Sequence, residues 1–299
     1  MFPLVHHPDY LIDAGSARHF QWNKYSALIE MVRGAAVPPD EHIPEPMPVE
    51  WLERVHDCEW VAAVLAARVD RARERRIGFP VTPALAMRAQ RTCGGTYLAA
   101  LLALDHGYAA NSAGGSHHAL RDGGAGYCIF NDLAVTAHRL LAEGRVQQIL
   151  VVDLDVHQGD GTASIFAGRR DVFTFSVHAE RNFPVRKAAS GLDVALPDGL
   201  GDGDYLSILE GHLSDVVSSV RPDLILYQAG VDVHADDTLG RLSISDDGLM
   251  MRDAMVGLAA RSRGIPIASV VGGGYGPDPL PIARRHAQTM VTLAHCCLT

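Results

Sequence analysis

Short apolar runs alternate with longer amphipathic stretches along most of the chain. The apolar runs are rich in β-branched and aliphatic residues and end in polar or glycine-rich residues, as buried strands do. They cover residues 149–154, 172–177, 223–230 and 265–271. The stretches with helical periodicity cover residues 94–106, 131–143, 204–220, 246–263 and 279–295. This alternation predicts βαβ units, and therefore an α/β fold with a central, mostly parallel β-sheet flanked by helices.

One segment breaks the alternation. Residues 37–50, VPPDEHIPEPMPVE, hold five prolines and four acidic residues, which excludes a regular helix or a central strand. Two interpretations stay open: a solvated surface connector, the commoner case, and a rim loop over a binding site. The chain shows no internal repeat and no shift in composition that would mark a boundary, so we expect a single domain over residues 1–299.

Composition narrows the class of protein. Hydrophobic residues make up 47% and charged residues 20% of the chain, which is typical of a globular protein with a sizeable core. The net charge is −9, and Lys24 and Lys187 are the only lysines, so we expect no direct nucleic-acid binding and favour a cationic partner over a polyanion.

Cysteine usage and the N-terminus bear on the compartment. The five cysteines form no C-x-x-C pair, which favours a reducing, cytoplasmic setting. The opening stretch MFPLVHHPDYLIDAG lacks a basic region before a long apolar core, and no run of 18 apolar residues occurs. We therefore expect neither an export signal nor a membrane span.

Polar residues crowd at the predicted carboxyl ends of the strands, the edge at which open α/β sheets bind ligands. Asp155 and His157 are two residues apart in an extended segment and point to the same side, where Asp232 can join them from a neighbouring strand. Two carboxylates and one imidazole are typical of a catalytic metal site with an open position, for Zn²⁺ or Fe²⁺. Ordinary helix or turn caps are the alternative. Asp153 and Asp160 make that alternative weaker, because clustered buried carboxylates without partners are costly.

Two adjacent histidines, His117 and His118, lie in the glycine-rich loop NSAGGSHHAL. Imidazole titrates near neutral pH, which makes both candidates for acid–base catalysis. A solvated loop with incidental histidines is the alternative. Asp153 and Asp160 exceed the carboxylates that a metal needs, and each can accept a hydrogen bond from one histidine and fix its tautomer.

The segment GGGY, residues 272–275, follows the last predicted strand. Pro277 occupies the position where a dinucleotide-binding loop needs its third glycine or alanine, so that interpretation fails. Glycines here allow close approach of the backbone to a ligand and present the Tyr275 hydroxyl as a hydrogen-bond donor. The sequence also lacks a G-x-S-x-G elbow and a P-loop.

With these residues assembled, the chain resembles the zinc-dependent histone deacetylase family, within the arginase/deacetylase fold. The matching motifs run in order over most of the chain: HHPDY, GGSHHA, GGAGYCIFND, VVDLDVHQGDG, FSVHAERNFP, YQAGVDVHADDTLG and VVGGGY. Many relatives carry a second histidine at the position of Gln158. With glutamine there, the chain is similar to the class IV branch of the family and its bacterial relatives.

The resemblance implies a division of roles among the strand-end residues. Zn²⁺ would be held by Asp155, His157 and Asp232. Tyr275 would donate a hydrogen bond to the developing oxyanion. The remaining catalytic residues would be His118 paired with Asp160, as general base and then acid, and His117 paired with Asp153, as a mainly electrostatic group.

The resemblance also implies a narrow tunnel for an acyl-lysine-like chain. Tyr127, Phe183 and Gly274 would line it, and the Gly126 carbonyl would receive the substrate amide N–H. A monovalent cation such as K⁺ would be held near the zinc by Asp153, Ser176 and the backbones of Asp155, His157 and Val177.

The function implied is metal-dependent removal of an acetyl or longer acyl group from the ε-amine of lysine in proteins. The alternative substrate is a small acylated amine such as an acetylpolyamine, which a negatively charged protein would attract. Ser116 and Tyr127 depart from the aromatic residue and the Phe of many relatives, which leaves the acyl length open. A metal-bearing binding protein and an arginase-like two-metal hydrolase are less favoured, because the acid–base set suits catalysis at one ion. The oligomeric state is not predicted.

Overall fold

The protein is built around one eight-stranded sheet. The computed structural model describes residues 1–12 and 21–298. Its strands are β1 Phe2–Val5, β2 Pro39–His42, β3 Tyr108–Asn111, β4 Ile149–Asp153, β5 Val172–Ala179, β6 Leu192–Leu196, β7 Leu224–Gln228 and β8 Ile267–Val270. Their order in the sheet is β2-β1-β3-β8-β7-β4-β5-β6, and every pairing between them is parallel. This confirms the predicted α/β class. The sequence predicts a mostly parallel sheet, and in the structure all eight described strands are parallel.

Helices cover the sheet. They are α1 Lys24–Arg33, α2 Val49–Glu53, α3 Cys58–Leu65, α4 Arg71–Ile77, α5 Pro83–His106, α6 Asp132–Ala142, α7 Asp160–Ile165, α8 Asp202–Val220, α9 Asp246–Arg261 and α10 Pro279–Leu298. The side chains of Thr82, Asn131 and Ser245 each accept a backbone N–H at a helix start. At the end of α9, Gly264 adopts φ +66° and its N–H donates to the Arg261 carbonyl, as expected of a terminal glycine.

The sequence pattern located the buried centre of this sheet. Its four predicted strands correspond to β4, β5, β7 and β8, and its five predicted helices to α5, α6, α8, α9 and α10. Strands β4, β7 and β8 are buried at every residue, because helices cover both faces of a parallel sheet and leave continuous apolar runs. The site described below lies at the carboxyl ends of these strands.

The proline-rich segment 37–50 has a structural role that neither interpretation anticipated. Residues Pro39–His42 form the edge strand β2 beside β1. Further on, Met47 is fully buried, its N–H donates to the Gln90 carbonyl, and its own carbonyl accepts from Gln90 Nε2. The segment is thus an edge strand followed by a connector packed on α5.

None of the described helices is both long enough and apolar enough to cross a bilayer. The opening stretch MFPLVHHPDYLIDAG is expected to hold no export signal, and its last three residues, 13–15, lie outside the described residues.

Candidate active site

Three strands bring the candidate metal ligands and Tyr275 to one edge of the sheet. Asp155 and His157 follow β4, Asp232 follows β7 and Tyr275 follows β8. Strand β7 lies between β4 and β8, so loops that are far apart in sequence meet at neighbouring strand ends. This is the edge at which parallel sheets place their ligands.

The three predicted metal ligands converge. His157 Nδ1 lies 3.0 Å from Asp155 Oδ1 and 3.0 Å from Asp232 Oδ2, and one ligand atom from each residue lies within 4.8 Å of the others. The backbone orients both carboxylates: Gly273 N–H donates to Asp155 Oδ2 and Val156 N–H to Asp232 Oδ1, each at 2.8 Å. All three side chains are buried.

The electrostatics of this group favour a bound cation. Burial, and then the charge of Asp155, raise the pKa of Asp232 to about 7. Burial opposes a charge on His157, yet hydrogen bonds to Asp155 and Asp232 outweigh it and raise the pKa of His157 to about 10. Two oxygen donors and one nitrogen donor fit a divalent metal of the zinc type and leave a coordination position open. The same ligands accept Fe²⁺.

The two histidines each contact the predicted carboxylate. His117 Nδ1 lies 2.8 Å from Asp153 Oδ2, and His118 Nδ1 lies 2.7 Å from Asp160 Oδ1. Burial disfavours a charge on His117, but Asp153 and Asp155 outweigh it and raise its pKa to about 9. Burial and then the neighbouring His117 lower the pKa of His118 to about 4. Opposite shifts of this kind separate an ionised group from a neutral proton acceptor.

A cavity of about 270 Å³ opens onto these residues. It is lined by Arg75, Arg76, Ile77, Gly78, His118, Gly126, Tyr127, His157, Phe183, Leu239 and Tyr275. Phe183 packs edge-on against His118, with ring centroids 4.8 Å apart. Gly126 has φ +51°, and a Cβ there would meet His118 Cδ2 at 2.6 Å, so only glycine fits this part of the wall.

The tunnel prediction needs one correction. Gly274 does not line this cavity; it lies behind it, where a Cβ would meet side chains of Val231 and Ile282 and where the Gly274 carbonyl accepts from Lys24 Nζ at 3.1 Å. The reason is that β8 ends in a glycine turn, so that consecutive residues point in different directions. Gly273, one residue earlier, is the glycine whose N–H contacts Asp155.

Tyr275 is positioned through its backbone. Its N–H donates to Asp237 Oδ2 at 2.6 Å, and Asp237 Oδ1 accepts the N–H groups of Leu239 and Gly240, each at 2.8 Å. The Tyr275 ring lies edge-on to His157 with centroids 6.2 Å apart. Burial and then the nearby carboxylate of Asp155 raise the pKa of Tyr275, so the phenol keeps its proton.

The structure also brings together the residues of the predicted K⁺ site. Asp153 pairs with Ser176 in the register of β4 and β5, and Val177 is the next residue of β5. Ser176 Oγ lies 2.8 Å from His178 Nδ1. The side chains that would meet a monovalent cation are therefore adjacent.

Sequence reasoning missed several residues of the site. Lys24 is 1% exposed and lies behind the Tyr275 ring, with Nζ 5.5 Å from the ring centroid. Asn182 Nδ2 lies 3.4 Å from His157 Nε2 and donates to the Leu239 carbonyl. Asp132 accepts the N–H groups of Gly115 and Ser116. Two of these lie in motifs that the sequence already offered: Asp132 is the final letter of GGAGYCIFND, and Asn182 lies in FSVHAERNFP.

Gln158 is a structural residue as well as a marker of one family branch. Its amide oxygen accepts the N–H of Ala188 at 2.9 Å, and its Nε2 donates to the Ala188 carbonyl and to Asp193, each at 2.7 Å. This buried side chain fastens the loop after β5 to the segment that carries the metal ligands.

Comparison with known proteins identifies the family. A family model described as the histone deacetylase domain matches residues 18–291. The chain belongs to the histone deacetylase family. A crystal structure of the HDA15 HD domain superposes on this family member with a TM-score of 0.82 and 21% identity, and the match covers 99% of this chain and 89% of that one. That likeness concerns the fold.

Curated relatives of this histone deacetylase family member come from several kingdoms. An uncharacterized protein of Picosynechococcus is 43% identical over 96% of each chain. Histone deacetylase 2 of Arabidopsis thaliana is 33% identical over 62% of this chain and 49% of its own length. A histone deacetylase-like amidohydrolase of Pseudomonas aeruginosa is 32% identical over 64% of this chain and 54% of its own. The chain thus matches about half the length of the last two relatives, and family membership supports hydrolytic deacylase activity in general.

Proposed function

We propose that the chain is a zinc-dependent amidohydrolase that removes acetyl or longer acyl groups from the ε-amine of lysine in proteins, as one catalytic domain over residues 1–299. One observation carries the proposal: an Asp-His-Asp ligand group lies with two His–Asp pairs and a buried tyrosine at one end of the sheet, and His118, His157 and Tyr275 of this set line one cavity. A binding protein needs no such acid–base set.

The metal ligands would be Asp155, His157 and Asp232. Zn²⁺ bound there would polarise the scissile carbonyl and lower the pKa of the attacking water. A second transition ion is not part of the proposal, because the histidine loop supplies proton-transfer groups and one group of ligands suffices. K⁺ would lie near Asp153 and Ser176, at the ends of β4 and β5.

The two histidines would carry out or support the proton transfers. Nδ1 of His118 is engaged by Asp160, which leaves Nε2 to take the proton of water and later to pass it to the leaving amine. The lowered pKa of His118 keeps this nitrogen unprotonated at neutral pH and able to act as a base. His117, paired with Asp153, supplies fixed positive charge nearby.

Tyr275 and the cavity wall bind the reacting amide. The protonated Tyr275 phenol donates to the carbonyl oxygen as negative charge develops there. Tyr127 and Phe183 flank the cavity and would grip the aliphatic chain of the lysine, while the carbonyl of Gly126 would accept the substrate N–H. Such positioning lowers the entropic part of the barrier.

A substrate screen on enzyme loaded with defined metal tests the proposal. The substrates are lysine peptides carrying acetyl to long-chain acyl groups, beside acetylated polyamines, compared by kcat/KM, with His118→Ala as the inactive control. We expect hydrolysis of acyl-lysine peptides by the zinc-loaded protein and none by the variant. Turnover of acetylpolyamines without turnover of any peptide would reject the protein substrate and leave the amidohydrolase chemistry standing.

A further inference from the structure

An arginine-rich helix lies at the mouth of the cavity. Residues 68–76, RVDRARERR, hold five of the chain's basic residues and only two acidic ones. Most of this stretch is helix α4, and its arginines are exposed. A local excess of positive charge stands out in a chain of net charge −9.

The end of α4 is fixed to the cavity wall. Gly126 N–H donates to the Arg76 carbonyl at 3.1 Å, and Tyr127 N–H donates to the Ile77 carbonyl at 2.7 Å. Arg75 and Arg76 therefore have a defined place relative to the two residues that would hold the substrate amide and its aliphatic chain. Both arginines line the cavity of the active site.

A second cavity continues from the mouth along α4. It measures about 390 Å³, is lined by Arg71, Glu74, Arg75, Gly78, Phe79 and Pro80, and shares Arg75 and Gly78 with the first. Glu74 is the one acidic residue among the described residues that line it. Its Oε1 is engaged, because it accepts the N–H of Val81 at 2.9 Å. Chain that extends from an amide in the first cavity can lie in the second, beside guanidinium groups.

The arginines are only partly placed for the stability of α4. Arg75 and Arg76 lie in its last turn, where the helix dipole favours cations, but the remaining charges do not gain in this way. Arg73 pairs with Asp70, but in the described part of the chain no ion pair joins Arg71, Arg75 or Arg76 to an acidic side chain. Arg71 and Arg75 are four residues apart, so like charges face each other on one side of the helix. Arg71 and Arg73 also lie in the first turn, where the helix dipole disfavours cations. A bound anion would offset both the repulsion between the like charges and their unfavourable interaction with the helix dipole.

The described residues that line the first cavity include no acidic side chain. Among the described residues that line the first cavity, the charged or titratable side chains other than tyrosine are Arg75, Arg76, His118 and His157. Phe183 also lines this cavity. It lies in the loop after β5, in which the Lys187 Nζ is engaged by the carbonyls of Asn182 and Pro184, so the positive charge at the mouth comes from Arg75 and Arg76. An incoming substrate therefore meets a basic rim.

We infer that the enzyme selects acyl-lysine in an acidic sequence context, with the carboxylate of an Asp or Glu near the acyl-lysine bound by Arg75 and Arg76 and, along the second cavity, by Arg71. The inference rests on the proposed function and adds the substrate class. It runs against a cationic polyamine, whose remaining ammonium groups would lie against the same guanidinium groups.

Three acetyl-lysine peptides that differ only in their flanking residues test this: one with Asp or Glu on both sides, one neutral and one with Arg. Two exposed ion pairs correspond to about a 3- to 10-fold higher kcat/KM for the acidic peptide than for the neutral one at low ionic strength. The ratio of kcat/KM for the acidic peptide to that for the neutral one should approach 1 at about 0.5 M salt, because charges more than a few ångströms apart are then screened.

Variants assign the preference to the arginines. Arg75→Gln with Arg76→Gln abolishes the preference, measured as the ratio of kcat/KM between the acidic and the neutral peptide, whereas Arg75→Glu with Arg76→Glu reverses it in favour of the basic peptide. Arg145→Gln with Arg170→Gln is the matched control. It removes the same charge from exposed positions before β4 and β5, at the opposite edge of the sheet, and keeps the wild-type preference.

The outcomes separate the two proposals. Equal turnover of all three peptides by the wild type overturns the acidic context and leaves the deacylase function intact. If the matched control loses the preference to the same extent, the acidic context is also overturned, because the preference would then come from the overall charge of the protein and not from Arg75 and Arg76. Nucleic-acid binding that depends on Arg75 and Arg76, without a peptide preference, assigns α4 to a polyanion and rejects the inference. Turnover of acetylpolyamines alone rejects both.

Discussion

At the scale of single residues, Tyr275 is held in place by contacts that do not involve its hydroxyl. Its N–H is bound by Asp237, and its ring packs against His157. In Tyr275→Phe these contacts remain, and we expect kcat to fall about 10²- to 10³-fold, the usual loss for one oxyanion donor. Metal content and thermal unfolding should be unchanged. Steady-state kinetics beside metal analysis measure this, and an undiminished kcat would remove Tyr275 from the mechanism.

For His118 we expect a role in proton transfer rather than in oxyanion stabilisation. Replacing it by alanine removes the group that accepts and returns the proton, so we expect a loss of about 10²- to 10⁴-fold in kcat. Added imidazole should restore part of the activity, because the side chain leaves a space open to the cavity. Rates like those of the wild type without imidazole would show that another base operates.

Some site residues were readable from the sequence and others were not. Asp155 and His157 could be grouped because alternate residues of an extended segment point the same way, and Asp153 and Asp160 because they exceed the carboxylates a metal needs. Lys24 and the true orientation of Gly274 depend on a contact between residues 250 positions apart. No local pattern records such contacts.

At the scale of elements, the turn after α4 sets the position of Tyr127. Gly78 has φ +108°, and a Cβ there would meet Tyr127 Cε1 at 2.7 Å. We expect Gly78→Ala to destabilise the protein by about 1–2 kcal/mol from backbone strain alone and to raise KM by displacing Tyr127. Gly144→Ala is the control, because Gly144 has φ +68° but open space around its Cβ position. It should cost stability and leave KM unchanged; an equal rise in KM for both would contradict the role of Tyr127.

His56 joins the segment before α3 to the start of α6. Its Nδ1 lies 2.9 Å from the Leu120 carbonyl, and its Nε2 accepts the N–H of Asn131 at 3.0 Å. Burial lowers the pKa of His56 from 6.5 to about 4. Because the folded state disfavours the protonated ring, this contribution is complete above pH 6.5 and is lost as the pH falls toward 4.

We therefore expect the free energy of unfolding to lose on the order of 2–3 kcal/mol through His56 between pH 7 and pH 4.5. Urea unfolding of the wild type and of His56→Gln at both pH values measures it. The variant should be less stable at pH 7 and less sensitive to acid. His212→Gln, at an exposed position, should follow the wild type, and parallel pH profiles for wild type and His56→Gln would refute the assignment.

The elements that the sequence pattern missed are the short or half-exposed ones. Strands β1 (FPLV) and β3 (YAAN) have four residues each, as β8 has, but they lack the longer β-branched run IPIASVV that made β8 recognisable. In β6 the first four residues are all partly or fully exposed, so it lacks the continuous apolar run of a central strand. Helix α4 is mostly charged and buries only Ile77. Long buried elements were predicted well because both their faces must be apolar, and that constraint is weak at the edges.

At the scale of the whole molecule, metal binding should contribute to the stability of the fold. The ligands come from the ends of β4 and β7, so a metal that binds only the folded chain adds about 2.7 kcal/mol at a hundredfold excess over Kd. We expect a chelator to lower the Tm of the wild type by about 5 °C or more and zinc to restore it. His157→Ala should show no response. A wild-type Tm indifferent to both additions would contradict a metal at this site.

If the inferred acidic context is right, the net charge of the chain is a poor guide to its substrate. A total of −9 suggested a cationic partner, but the Debye length is about 8 Å at physiological salt, so a substrate senses the charges within one or two residues of its binding site. Those charges are the guanidinium groups of Arg75 and Arg76. The sum over the chain hides this distribution, which only the placement of α4 reveals.

The edge strand β2 has a consequence for the behaviour of the chain in a crowded solution. An open parallel edge is a template on which further copies can add strands. Here the edge begins with Pro39, which has no N–H to offer, and continues with Asp40 and Glu41. Arg33 holds Glu41 through two contacts of 2.6 and 2.8 Å. An identical edge would bring like carboxylates together and lack a hydrogen bond at the proline, so we expect this edge of the sheet to disfavour the addition of a strand from another copy.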